Sequence, residues 1–417
     1  MAAEWVTVRC CIAGGGPAGM MLGLLLARAG IEVLVLEKHA DFLRDFRGDT
    51  IHPSTLEVLH ELGILDEFLR RPHNEARQLD GQIGDTRLTI ADFSHLPTRC
   101  KFIAFTPQWE FLNYIAEEAE RYPAFHLRME AEVTELVRDG GRIAGVRAST
   151  PQGILEVHAE LTIAADGRHS TLREQAGLEI IDLGAPIDVL WMRLSRRAED
   201  PGQSLGRIEA GRMMVMLDRG DYWQCAYVIP KGAFDEIRQR GLAAFRDDMA
   251  KLAPVLRDRV GELGDWGDIK LLTVMVDRLR RWYLPGLLCI GDAAHAMSPI
   301  GGVGVNLAIQ DAVAAANILT SRLRQGTVSP DDLRRLQRRR EFPTRATQRL
   351  QLLIQDRVIS RVLGSSQPIS VPWPMTLLRR WRFLRRVPAR LIGLGFRPEH
   401  VREPSPPNVA PTRASSA

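Results

Sequence analysis

Val6-Thr7-Val8-Arg9-Cys10-Cys11-Ile12-Ala13 is a short and nearly continuous apolar run, the pattern of a strand buried on both faces. Residues 17–29 carry the apolar character on past a glycine cluster, at a length that predicts a helix. Ile31-Glu32-Val33-Leu34-Val35-Leu36-Glu37 then returns to strand. The chain therefore opens on a β-α-β unit. Helical periodicity reappears at Leu56–Phe68, with Gly63 near its end. It reappears again at Trp109–Arg121, where Phe111, Leu112, Ile115 and Ala116 share one face.

From Glu130 to Ile163 the pattern changes to strand alternation around a turn at Asp139-Gly140-Gly141. Residues 181–231 read as antiparallel sheet, with a hairpin of Met213–Leu217 and Tyr222–Ile229 around Asp218-Arg219-Gly220-Asp221. Val305–Arg324 predicts a long helix stopped by Gly326, with Leu307, Val313, Ala314 and Ile318 toward the core. Asp331–Arg357, rich in Arg and Gln, predicts a helix with a solvated face. After Glu403 the prolines and serines predict a disordered tail. Helices and strands interleave, so an α/β domain is expected to be interrupted by pieces of a β-rich one. No internal repeat is visible.

Length and composition narrow the class. A chain of 417 residues exceeds the usual single domain, and 45 % apolar with 25 % charged residues is the balance of a globular protein. The net charge of +4 is small, and its excess is arginine late in the chain (Arg334, Arg335, Arg338, Arg339, Arg340), which does not indicate nucleic acid. Five scattered cysteines (Cys10, Cys11, Cys100, Cys225, Cys289) lack any metal-ligand spacing and suit a reducing, cytoplasmic setting. Met20–Leu26 followed by Ala27-Arg28-Ala29 resembles a signal-peptide core, but glycines interrupt the run and a strand follows it. No uninterrupted apolar stretch of the roughly 20 residues of a membrane span occurs.

Three motifs carry the chemistry. Gly14-Gly15-Gly16-Pro17-Ala18-Gly19 is a G-x-G-x-x-G between strand and helix. Gly14 permits the turn, Gly16 lets the main chain approach a pyrophosphate, Gly19 lets helix pack on strand, and the helix amino end favours an anion. Glu37 closes the second strand, where an acid can hydrogen-bond a ribose. The second motif is Ala164-Ala165-Asp166-Gly167-Arg168-His169-Ser170-Thr171-Leu172-Arg173. The third is Leu288-Cys289-Ile290-Gly291-Asp292-Ala293-Ala294-His295, running on through Met297-Ser298-Pro299-Ile300-Gly301-Gly302-Val303-Gly304-Val305-Asn306. Each places an Asp at the carboxyl end of a strand, where open α/β sheets bind ligands. Taken singly, Asp-Gly and Gly-Asp are also ordinary turn signals.

As a set, in this order, the motifs resemble the flavoprotein aromatic hydroxylases, the family of para-hydroxybenzoate hydroxylase, over roughly residues 6–350. The resemblance implies an α/β (α+β) fold: a Rossmann-like FAD-binding domain interleaved with a β-sheet substrate domain and a C-terminal helical segment. In residue terms the FAD domain would take 1–75, 100–180 and 270–365. The substrate domain would take 76–99 and 181–269, the helical segment 366–403 and the tail 404–417.

It further implies that FAD is held by Gly14, Gly16, Pro17, Ala18, Gly19, Glu37 and Lys38, with Glu37 on the adenosine ribose. Gly291 and Asp292 would hold the ribitol. Gly302, Val303, Gly304 and Asn306 would line the flavin, with Pro299 positioned along its face. Asp166 and Gly167 would belong to an element shared by FAD and NAD(P)H, with Arg173 supporting it. Arg47 would reach the FAD phosphates and Gln108 the flavin; the alternative is that Arg47 caps neighbouring helices and Gln108 only starts one.

The expected reaction is hydride transfer from NADH or NADPH, then addition of O₂ to the flavin, whose hydroperoxide hydroxylates a small aromatic or polyketide- or quinone-like substrate. Such chemistry belongs to the cofactor, so no metal and no protein nucleophile or base is expected. His295 and Cys289 read as packed core residues. Substrate-facing groups are expected from the sheet bearing Trp191, Met192, Arg193, Met214, Met216, Trp223, Gln224 and Tyr227. Alternation puts Trp223 and Tyr227 on one face and Gln224 on the other. Monomer and homodimer are both open. Two other readings remain: a reductase of the same fold without oxygen insertion, and a membrane-peripheral flavin protein. The second is motivated by the basic, aromatic segment Leu377–Phe396, which is expected instead to be a helix packed over the FAD domain, with its arginines solvated.

Overall fold

The opening apolar run folds as strand β1 (Glu4–Ala13), followed by helix α1 (Pro17–Arg28) and strand β2 (Val33–Leu36) in a computed structural model describing Glu4–Leu43, Thr50–Pro201 and Leu205–Arg402. Every residue of β2 is buried, as parallel strands covered on both faces require. Helix α2 (Gln108–Glu120) leads to β3 (Phe125–Arg128), and the Glu132–Asp139 and Arg142–Thr150 hairpin leads to β4 (Gly153–Ala164). The parallel sheet runs in the order β5 (Leu287–Cys289), β4, β1, β2, β3. The carboxyl ends of β1, β2, β4 and β5 therefore lie side by side, and each of the three motifs leaves the sheet there.

Helix α3 (Gly304–Gln325) packs along α1 and is closed by Gly326 in the left-handed conformation. By length and composition it could cross a membrane, but 67 % of its apolar window is buried, so it serves as the core helix of this domain. The expected helix Leu56–Phe68 is two pieces, Pro53–Glu61 and Leu65–Phe68, because Gly63 takes a φ of 77° and ends the first.

The second sheet has seven strands, in the order Lys270–Leu272, Ile187–Ser195, Tyr222–Pro230, Arg212–Asp218, Leu205–Glu209, Gln78–Ile83, Thr86–Asp92. Helices Phe234–Arg240 and Leu242–Leu252 cover one face through Ile237, Phe245, Met249 and Leu252. The other face looks back toward Ile300 and the loop that precedes α3.

Helix α4 (Pro330–Ile354) corrects the sequence reading. It is not simply a solvated Arg/Gln face: Arg340, Thr344, Gln348, Gln351 and, one turn beyond, Gln355 form a buried polar stripe. Their spacing of three to four residues puts them on one helical face. A π-turn at Gln355–Ile359 carries the stripe onward.

The segment from residue 366 differs too. It forms two short helices, Trp373–Arg380 and Arg386–Gly393, that pack on the edge strand Thr86–Asp92 and the turn Phe93–His95. It thus covers the rim of the seven-stranded sheet rather than lying over the parallel-sheet domain alone. The proline-rich stretch after Glu403 lies outside the described residues.

Candidate functional site

The glycine turn between β1 and α1 is fixed from three sides. Gly14 donates to Leu36 O at 2.8 Å, and Ala165 donates to Ala13 O at 2.8 Å. Gly14 sits at φ 107°, and a Cβ there would lie 2.3 Å from Ala165 O, so only glycine lets the first motif meet the second. Gly19 is equally constrained, since its Cβ would fall 2.0 Å from Gly14 O. Gly16 caps the helix and has open space where a Cβ would stand. The free N–H groups of the first turn of α1 face that opening, while Pro17 gives up an N–H the helix could not have used.

Glu37 folds back onto this turn. One carboxylate oxygen accepts from Gly15 N at 2.9 Å and the other from His39 N at 3.1 Å. Lys38 is exposed beside it. Gly291 brings in the third motif: a Cβ there would touch those of Ala18 and Ala308 at 3.1 and 3.2 Å. Asp292 follows on the same turn, Gly291–Ala293, half-buried. Gly14, Gly16, Ala18, Glu37, Asp166 and Asp292 are thus gathered at one edge of the parallel sheet.

Asp166 accepts from Leu172 N at 3.3 Å through one oxygen, while its other oxygen is buried without a partner. Burial raises its pKa against the hydrogen bonds from Ser170 and Leu172. Arg173 pairs with Asp277 at 3.3 Å, with both side chains buried, and also donates to Arg168 O. Asp277 in turn accepts from Ala296 N at 3.2 Å. Arg173 therefore supports the turn into Asp166 and ties the second motif to the third.

His295 is a packed residue. Its Nε2 lies 2.6 Å from Asp311 Oδ2, which also accepts from Gly291 N at 3.1 Å, and its ring lies against Trp282. Asp311 Oδ1 takes Arg340 Nε at 2.8 Å, and Arg340 reaches Glu399 at 3.3 Å. Burial would raise the Asp311 pKa, but His295 and Arg340 outweigh it and the net shift is downward. Cys289 is core, its thiol pushed well up by burial.

The loop into α3 turns through Gly301 and Gly302, at φ 76° and 62°. Thr50 Oγ1 donates to Gly302 O at 3.0 Å, and a Cβ on Gly302 would collide with that hydroxyl at 2.3 Å. Val303 and Gly304 follow at the helix start with first-turn N–H groups unused by the helix. Asn306, expected at the flavin, has its side-chain amide engaged within the protein. Its Nδ2 donates to Thr50 O and Gly302 O, and its Oδ1 accepts from His52 N and Thr55 Oγ1. It is a tie between the loop and the strand after residue 49. Gln108 is buried at the start of α2. Arg47 lies outside the described residues.

The polar stripe of α4 grips the same loop. Gln351 Nε2 donates to Ser298 O and Ile300 O, both at 2.9 Å, and its Oε1 accepts from Ser298 N at 3.2 Å. Gln348 Nε2 reaches Asp277 O at 2.6 Å and Ala296 O at 3.1 Å, and Gln355 Nε2 reaches Ser298 Oγ at 2.9 Å. Pro299 is thus bracketed by residues whose backbone is held on both sides. Sequence reasoning missed these residues; uncharged Thr and Gln at helical spacing among arginines was the available signal.

On the seven-stranded sheet the alternation resolves. Trp223, Tyr227, Met192, Met214 and Met216 point away from the loop, into the core under the outer helices, with Tyr227 edge-on to Phe245 at 5.2 Å. These five do not line the face toward the loop. The face toward Ile300 carries Trp191, Met213, Val215, Ala226 and Val228. Gln224 lies on that face by alternation, bonded to Arg219 at 2.9 Å. Arg193 stacks over Tyr222 at 5.0 Å.

His52 also escaped sequence reading. It is fully buried, Nδ1 lies 2.7 Å from Ile392 O of the C-terminal segment, Nε2 has no partner, and burial drops its pKa to about 4.

The donor set around Gly16 (helix N–H groups, an open approach, and carboxylates at three strand ends) suits a dinucleotide. A family model described as "FAD binding domain" matches residues 7–350. The chain belongs to that family. It is 32 % identical over 366 residues to 6-methylpretetramide 4-monooxygenase of Streptomyces rimosus, covering 86 % of each chain. It is 28 % identical to dialkyldecalin synthase of Streptomyces rugosporus, covering 72 % of this chain and 63 % of that one, less than two thirds of its length. In solved structures its fold resembles p-nitrophenol 4-monooxygenase of Pseudomonas putida DLL-E4, with a TM-score of 0.75 at 20 % identity over 93 % of this chain and 97 % of that one. The α/β fold expected from the motifs is the fold observed.

Proposed function

We propose that this FAD-binding protein is a monooxygenase that uses NADH or NADPH and O₂ to hydroxylate a small aromatic or polyketide-like substrate. The convergence of Gly14 on Ala165, Gly15 on Glu37 and Ala18 on Gly291 supports the dinucleotide site, and the 32 % identity to a monooxygenase over 86 % of each chain supports the reaction. The likeness to 6-methylpretetramide 4-monooxygenase directs it toward fused aromatic rings.

Bound FAD supplies the redox chemistry, accepting hydride and activating O₂. The chain's own part is to bind, orient and exclude water. The N–H groups of α1 at Gly16 receive the pyrophosphate, with the field of the helix favouring its charge. Glu37 takes the adenosine ribose and Asp292 the ribitol. The loop Pro299–Gly304, held by Gln351, Gln355, Thr50 and Asn306, would hold the flavin ring, and the N–H groups of Val303 and Gly304 would be available to it as donors. A helix terminus contributes about 1 kcal/mol, or about 20 mV on a two-electron couple, so this loop positions the ring more than it tunes its potential. Trp191, Met213 and Val215, across from Ile300, offer an apolar wall for a flat substrate. His295 does not serve as a base, since it is engaged by Asp311.

Oxidation of NAD(P)H by the yellow protein under air, with phenols and polycyclic polyketides, tests the reading. Product carrying one oxygen atom from isotopically heavy O₂ supports it. NAD(P)H consumption with reduced substrate and no O₂ uptake would replace it with the reductase reading.

A further inference from the structure

Between Asp356 and Glu399 the chain has nine arginines and no Asp or Glu. The same stretch holds a concentration of exposed large apolar side chains. Trp373, Leu377, Trp381, Phe383 and Val387 are each 40–76 % exposed. Their placement is ordered. Trp373, Leu377 and Trp381 recur at four-residue spacing along helix Trp373–Arg380 and its cap, so they share one face. Trp381 meets Phe383 edge-on at 5.6 Å, and Val387 stands one turn further. Arg385 fixes the corner between the two helices by donating to Leu378 O at 2.9 Å. The opposite side of the segment is what anchors it: Ala389, Gly393 and Leu394 are buried against Phe93 and Leu96. Arg379, Arg380, Arg382, Arg386 and Arg390 flank the exposed apolar row and are themselves exposed.

We propose that this face docks on an anionic lipid bilayer. A segment with exposed arginines and no carboxylate of its own calls for an anionic partner. Two indoles and a phenyl standing out of the same surface call for a partner that also takes apolar groups, and the headgroup region of a bilayer offers both. A second copy of this chain does not, because a self-complementary contact would set arginines against arginines. The docked segment covers the edge strand Thr86–Asp92, so the rim of the substrate sheet would face the membrane, a route for an apolar substrate.

The test is flotation of the full-length FAD-loaded protein with vesicles of phosphatidylcholine, and with vesicles containing about 30 mol% phosphatidylserine. Two variants are compared with it: Trp373→Ser/Trp381→Ser/Phe383→Ser, and Arg379→Gln/Arg380→Gln/Arg382→Gln/Arg386→Gln. Flavin absorbance and thermal midpoint establish that each is folded. The expected result is binding to the anionic vesicles alone, weakened at least about tenfold in either variant. Absence of binding at low salt overturns the proposal. So does binding that the aromatic replacements leave unchanged, which is adsorption by charge alone. Tighter binding to duplex DNA than to anionic vesicles overturns it in favour of a nucleic-acid surface.

Discussion

Replacing Gln351 with methionine removes one amide and leaves the side-chain volume nearly unchanged, so the loss falls on the loop it holds. Gln351 is buried and makes three hydrogen bonds, to Ser298 O, Ile300 O and Ser298 N. The introduced thioether can replace none of these, and all three groups flank Pro299 on a loop whose Ser298 is itself buried. An internal hydrogen bond contributes about 1 kcal/mol net, and a buried group left unpaired costs about 1–3 kcal/mol. With some relief from the added apolar burial, Gln351→Met should cost about 3 kcal/mol, or about 4 °C in Tm for a chain of this size.

Function should suffer differently. Gly16, Glu37 and Asp292 stand on elements that Gln351 does not touch, so FAD affinity should hold within a few-fold. A loop free to shift by about 1 Å should lower turnover of the hydroxylation about 10- to 100-fold. The missing product should appear as hydrogen peroxide. The assay pairs NAD(P)H consumption with product and peroxide, alongside a thermal melt and an FAD titration. A variant with wild-type Tm and wild-type peroxide yield would mean that Gln351 does not hold the loop. One that loses FAD altogether would show that the loop acts on binding rather than on alignment.

Four further outcomes follow from the geometry. Gly14→Ala forces a Cβ to within 2.3 Å of Ala165 O at a φ of 107°, so apoprotein titrated with FAD should bind at least about tenfold more weakly. Asp292→Ala should also weaken FAD binding about tenfold in that titration, with the apoprotein melting temperature unchanged. His52 is held neutral, its pKa lowered from 6.5 to about 4. Its contribution is therefore intact above pH 6.5 and is lost as pH falls toward 4, about 3 kcal/mol in all, and denaturant midpoints measured across that range should lose this dependence in His52→Gln. Arg340→Met leaves Asp311 buried beside His295 without its guanidinium and should lower unfolding stability by about 3–5 kcal/mol in urea; Arg340→Lys should not restore it, since one ammonium cannot span Asp311 and Glu399.

The convergence of the three motifs was legible because their residues are constrained by backbone geometry. Gly14 and Gly291 must be glycine where strand ends crowd together, and Glu37 must end its strand to reach Gly15, so spacing carries the signal. The stripe Arg340-Thr344-Gln348-Gln351-Gln355 was misread because arginine and glutamine look alike whether they face water or a loop of bare carbonyls; only the tertiary partner decides. Likewise the period of two in Tyr222–Pro230 separates Trp223 from Gln224 but cannot say which face the helices Phe234–Arg240 and Leu242–Leu252 will cover. Asn306 stands where the third motif runs into α3, and its amide serves Thr50, His52, Thr55 and Gly302. His52 was invisible for a similar reason: its partner Ile392 O is 340 residues away.

A crystal structure of the protein with FAD would show where the cofactor lies. The expected density has the pyrophosphate at Gly16, the adenosine ribose on Glu37, the ribitol on Asp292 and the ring against Pro299–Gly304. A dinucleotide bound away from the groove where Gly14 meets Ala165 and Ala18 meets Gly291 would contradict it, as would protein that stays colourless at saturating FAD.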